Sequence, residues 1–88
     1  MNSNKQFFRD YLTKSVRSFR LERNMTQEKM AEQLQVTARA YGDLERGKFC
    51  LSAVTLLRFQ MMLSNDELIE FMDTLREELL NPDDSAKA

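Results

Sequence analysis

The segment Thr26-Gln27-Glu28-Lys29-Met30-Ala31-Glu32-Gln33-Leu34-Gln35-Val36-Thr37-Ala38-Arg39-Ala40-Tyr41-Gly42-Asp43-Leu44-Glu45-Arg46-Gly47 decides the fold. It reads as two short helices with a connection of about two residues. Thr26 opens the first as an N-cap whose hydroxyl accepts an orphan backbone N–H. Met25 before it and Met30 after it have the spacing of a hydrophobic staple, and Met30, Ala31 and Leu34 form its inner face. The second helix repeats the device, with Val36 before the cap, Thr37 as the cap and Tyr41 one turn in. Tyr41 and Leu44 point inward with Val36, and Gly47 stands where a helix ends in the left-handed region. So tight a connection forces a steep crossing, about 90–120°. Ala31 is small where the two backbones must approach, and a long side chain there would wedge them apart.

Outward from this pair the same grammar continues. Phe8, Leu12, Val16 and Phe19 make one helical stripe, predicting a helix from about Phe8 to Arg23 with Asn24 as its left-handed cap. Ser52 caps a fourth helix bearing Leu56, Leu57, Phe59 and Leu63. Ser64-Asn65-Asp66-Glu67 is a capping box, with Leu63 and Leu68 as its staple. A fifth helix over 65–80 carries an a/d-like stripe of Leu68, Met72, Leu75 and Leu79, widened by Ile69, Phe71 and Leu80, until Asn81-Pro82 stops it. The expectation is one all-α domain over 1–82, its paired helices at 26–47, with a flexible tail at 83–88.

Composition agrees and excludes. The chain has 88 residues, 42% hydrophobic and 31% charged, with two glycines and one proline, which suits one helical domain rather than a turn-rich sandwich. With no histidine and one cysteine, His/Cys zinc sites, an internal disulfide and a Ser-His-Asp triad are all out of reach. An enzyme is not expected, nor is a cofactor. No apolar run approaches the ~20 residues of a membrane span, and the charged first twenty residues do not read as a signal peptide, so the expected location is cytoplasmic, without membrane attachment. The net charge of −1 hides an asymmetry: residues 1–50 carry ten Lys/Arg against six Asp/Glu, residues 51–88 three against eight. One basic face for an anionic partner, opposite an acidic half, fits that division.

The segment from Thr26-Gln27-Glu28 through Met30-Ala31 to Leu44-Glu45-Arg46-Gly47 closely resembles the lambda-repressor-like (Cro/C1, xenobiotic-response-element) helix-turn-helix family, over about residues 8 to 63. The resemblance implies a five-helix domain that binds double-stranded DNA by placing helix 37–46 in the major groove, where each base pair shows its own donor and acceptor pattern. Its first exposed positions match Thr37, Ala38 and Arg39, with Asp43 one turn later. Arg39 is the best candidate base reader, because its fork can donate to O6 and N7 of guanine; the alternative is a phosphate or an acidic neighbour. Asp43 either accepts from cytosine N4 or orients Arg39. The resemblance assigns phosphate contacts to Arg17, Thr26, Gln27, Arg46 and Lys48, with Gln27 at the positive end of its helix. It assigns Arg20 and Glu45 to a structural ion pair tying the first helix to the third. Two departures stand out: Gln35 fills a turn position that is often glycine in the family, and Gly42 interrupts the reading helix.

Such proteins usually bind as dimers at sites one DNA turn apart. Leu68, Met72, Leu75 and Leu79 are therefore candidates for a homodimer interface, unless the stripe only completes the monomer's core. The expected function is a transcriptional regulator, acting as a repressor. The alternatives are an antitoxin or accessory subunit whose last helix binds a partner protein, and an interaction module with little DNA affinity.

Overall fold

The computed structural model describes residues 2–80; the Asn81-Pro82 stop and the tail at 83–88 lie outside the described residues. Its five helices are α1 (Asn2–Glu22), α2 (Gln27–Leu34), α3 (Ala38–Glu45), α4 (Ala53–Met62) and α5 (Asn65–Leu80). Each start after the first is written in the side chain that precedes it. Thr26 Oγ1 accepts from Lys29 N, Thr37 Oγ1 from Ala40 N, and Ser52 Oγ from Thr55 N. At α5 the reciprocal box forms, Glu67 N donating to Ser64 Oγ and Ser64 N to Glu67 Oε1.

The ends of α1, α2 and α3 share one geometry. Asn24, Gln35 and Gly47 sit at φ 55°, 60° and 77°. In each case the next residue's N–H reaches back to a carbonyl of the last turn: Met25 to Arg20, Val36 to Ala31, Lys48 to Asp43. These are Schellman turns. The one after α2 supplies the sharp connection to α3, with the Val36 N–H on the Ala31 carbonyl at 3.0 Å and Val36 packed against the core.

Met30, Leu34, Tyr41 and Phe59 are fully buried, with Leu12, Val16, Phe19, Ala31, Leu44, Phe71 and Leu75 around them. Phe59 of α4 meets Phe19 of α1 and Phe71 of α5 edge-on, at 5.5 and 5.7 Å between centroids. Tyr11 stacks on Phe71 at 5.5 Å and donates its hydroxyl to the Phe71 carbonyl. This aromatic column fastens α5 to α1 and α4, while the aliphatic half of the core fastens α2 to α3. Burying each such side chain contributes about 1.5–3 kcal/mol.

Two expectations need correction. Helix α1 begins at Asn2, six residues before Phe8. The added turns are held by Gln6 Nε2 donating to Asp10 Oδ1 and by Phe7 stacked on Tyr11, contacts at i,i+4 that a search for a single inward stripe passes over. The α5 stripe is also divided. Leu75, with Phe71, is core, Leu68 is half-buried, and Met72 and Leu79 face solvent together with Ile69 and Leu80. On α4, Leu57 is likewise exposed, in a row with Val54 and Met61. No helix among the described residues is long and apolar enough to cross a membrane.

Candidate nucleic-acid interface

The start of α3 is presented to solvent. Thr37, Ala38 and Arg39 are all exposed, because Tyr41 and Leu44 occupy the opposite side of the helix and anchor it. Asp43 shares this outer side but does not engage Arg39. Its Oδ1 accepts from Arg46 Nη2 and lies 3.8 Å from Lys48 Nζ. The orienting role expected for Asp43 therefore goes to other cations, and the i+4 spacing to Arg39 is not used among the described residues.

Arg20 and Glu45 form the expected pair. Arg20 Nε and Nη2 donate to the two Glu45 oxygens at 2.6 and 3.1 Å, and Nη1 donates to the Met25 carbonyl at 2.9 Å. The side chains are 13% and 6% exposed. Two further donors complete the carboxylate, the Tyr41 hydroxyl on Oε2 and Gln27 Nε2 on Oε1. Burial alone would push Glu45 upward, but the hydrogen bonds from Arg20, Tyr41 and Gln27 outweigh it and hold the carboxyl below its ordinary range. Burial, reinforced by Glu45, pushes the Tyr41 phenol up, so it stays protonated and donating. The link from Tyr41 and Gln27 was not foreseen; the i,i+4 spacing of Tyr41 and Glu45 was its only trace in the sequence.

This network fixes the side chain at the start of α2. Gln27 spends Nε2 on Glu45, while its Oε1 lies over Gly42, where a Cβ would meet it at 3.8 Å and Arg46 Nη1 at 3.5 Å. Those are ordinary contact distances, so Gly42 leaves room for two side chains without being required by either. Thr26 is the exposed N-cap beside Gln27. Arg17 and Lys14 of α1 reach the other side of the α3 terminus, lining with Arg46, Glu45 and Gly47 an open groove of about 330 Å³. The structure thus brings Arg17, Gln27, Arg46 and Lys48 together around the end of α3 and sets Arg39 at its start.

A family model described as helix-turn-helix matches residues 16–64, more than half of the chain. The chain belongs to this Cro/C1-type (xenobiotic-response-element) family and is a DNA-binding transcription regulator of the helix-turn-helix class. No curated protein and no solved structure matches it.

Proposed function

We propose that the protein is a dimeric repressor of transcription, acting in the cytoplasm, whose α3 enters the major groove with Arg39 as its base reader. The observation that carries this reading is the exposed start of α3, bearing an Arg39 that has no ion pair among the described residues, on a helix flanked by Arg17, Gln27, Arg46 and Lys48. Arg39 donates to guanine O6 and N7; Thr37 and Ala38 contact neighbouring bases; Thr26, Gln27 and the three flanking cations hold phosphates and set the register. Domain 1–82 acts as one binding unit.

The dimer reading rests on Ile69, Met72, Leu79 and Leu80, which together leave one side of α5 apolar and exposed. Leu68 extends that side, and Leu75 supports it from within the core. Arg76 lies among these residues and Asp73 and Glu77 beside them, so a second copy packed antiparallel offers carboxylates to a cation that otherwise interrupts the apolar strip. A different protein seated there, as for an antitoxin or accessory subunit, would use the same side chains.

The deciding experiment is selection of bound duplexes from a random pool, followed by salt titration of binding to the selected and to mixed-sequence DNA. A selected site with two half-sites, and affinity falling steeply with salt, is the expected result. Arg39→Ala should weaken the selected site by about 1–3 kcal/mol more than mixed sequence, whereas Gln27→Ala should weaken both alike. Equal losses from Arg39→Ala on every sequence would remove it as base reader, and salt-insensitive or absent binding would leave only a protein-interaction module.

A further inference from the structure

Asp43 is the one acidic side chain of α3 not consumed by the Arg20 network, and its position is unusual for a surface that must meet a polyanion. The Schellman turn at Gly47 folds the chain back so that Lys48 N donates to the Asp43 carbonyl at 3.0 Å. That turn carries the Lys48 ammonium toward the Asp43 carboxylate, and Arg46, one turn along the helix, closes on the same Oδ1. Asp43 is 18% exposed, while its two partners are 60% and 63% exposed and anchored to little else. A single carboxylate oxygen thus gathers two cations in the manner of a phosphate oxygen.

We propose that Asp43 is an intramolecular stand-in for a DNA phosphate: in the free protein it occupies Arg46 and Lys48, and a backbone phosphate must take them from it. The inference rests on the DNA-binding reading above and adds to it a regulation of the clamp. Non-specific affinity for a duplex comes from cations that displace counterions from phosphates. A cation already neutralised by a neighbouring carboxylate displaces fewer, because its new contact replaces an old one. Asp43 therefore lowers the sequence-independent part of binding at Arg46 and Lys48 and leaves Arg39, which it does not touch, at full strength. The alternative role, in which Asp43 helps binding by holding Arg46 in place or by accepting from a cytosine, makes the opposite prediction.

The test is Asp43→Asn, which keeps shape and removes charge, measured on mixed-sequence duplex and on the selected site from 50 to 200 mM salt. The variant should bind both more tightly at low salt, with a salt slope steeper by about one to two, so that its advantage over the parent at 50 mM exceeds that at 200 mM about 4- to 16-fold. Loss of the fold would remove recognition of the selected site, so a gain there reports the folded protein. In a chain that also carries Arg46→Ala and Lys48→Ala the gain should vanish. Unchanged or weaker binding by Asp43→Asn, while the parent binds with a normal salt slope, overturns this inference alone; so does a loss confined to the selected site, which would make Asp43 a base reader. Absence of salt-dependent binding by the parent overturns the DNA-binding reading and this inference with it.

Discussion

Two Arg–Glu pairs leave the C-terminal end of α1 in different directions, and they are bonded with similar lengths in very different surroundings. Arg20 holds Glu45 of α3 with a two-pronged grip, 13% and 6% exposed, and the same carboxylate also collects Tyr41 and Gln27. Arg23 holds Glu67 of α5 through one nitrogen at 2.9 Å to both oxygens, 37% and 35% exposed, with its guanidinium 3.7 Å over the Phe19 ring. Burial, not bond length, decides what each contributes. At the basic end a sealed network fixes α2 and α3 on α1 and so sets Gln27 relative to Arg39. At the acidic end the ion pair is solvated, and α5 is attached by Phe71 and Leu75.

The largest effect follows from the sealed pair. Arg20→Ala leaves Glu45 charged, buried and short of its main partner, and should cost about 3–5 kcal/mol in denaturant unfolding. A loss below about 1 kcal/mol would mean that water reaches Glu45, and the contrast between the two ends would collapse. Next in size is the attachment of α5. Leu75→Ala should cost about 2–5 kcal/mol, whereas Met72→Ala, on the exposed side of the same helix, should stay within about 0.5 kcal/mol at concentrations where the protein is monomeric. At higher concentration Met72→Asp with Leu79→Asp should abolish self-association while the fold survives, as read by sedimentation; a dimer that persists would move the interface elsewhere.

The helix starts and the paired-helix geometry were legible in the sequence because they depend on neighbours: a Thr or Ser cap, a staple four residues on, a small Ala31 at a fixed offset. The Arg20–Glu45 pair came only with the family resemblance, since nothing local links residues 25 apart. The division of α5 was not legible. Its apolar residues cover more than half a turn, and periodicity cannot say which edge faces Phe59 until α4 is placed. The partner of Asp43 was hidden for a similar reason: Arg39 at i−4 and Arg46 at i+3 are both within reach along a helix, and spacing alone does not say that Arg46, joined by Lys48 after the turn at Gly47, takes the carboxylate.

A smaller effect, of opposite sign, tests the turn between α2 and α3. Gln35 holds a left-handed conformation that glycine adopts freely and that costs other residues about 1–2 kcal/mol. Gln35→Gly relieves that cost but adds freedom to the unfolded chain, so a net gain of about 0.5–1 kcal/mol is expected. A loss would show that the Gln35 side chain contributes contacts beyond the turn itself.

The smallest effect is at the solvated pair, and acid is the way to see it. The Ser64 N–H, then Arg23, hold the Glu67 carboxyl below its ordinary range, as Arg20, Tyr41 and Gln27 do for Glu45 against the opposing pull of burial. A carboxyl whose folded value lies below its unfolded one binds protons more weakly in the fold. Its stabilisation is complete above the unfolded value, about 4.3 for glutamate, and is lost as pH falls through the folded value. Both groups therefore make the protein acid-sensitive below about pH 4.3, each down to its own folded value. Glu67→Gln keeps an oxygen for the Ser64 N–H and removes only the charge, so at neutral pH it should cost no more than about 1 kcal/mol, shrinking as salt is added. As pH falls from about 4.3 through the lower folded value of Glu67, the stability of the variant should approach that of the parent, because the parent loses the same charge over that range. If the deficit instead persists unchanged once acid has protonated Glu67 in the parent, the contribution of Glu67 lies in packing rather than charge, and the acidic end is held on α1 by Phe71 against Tyr11.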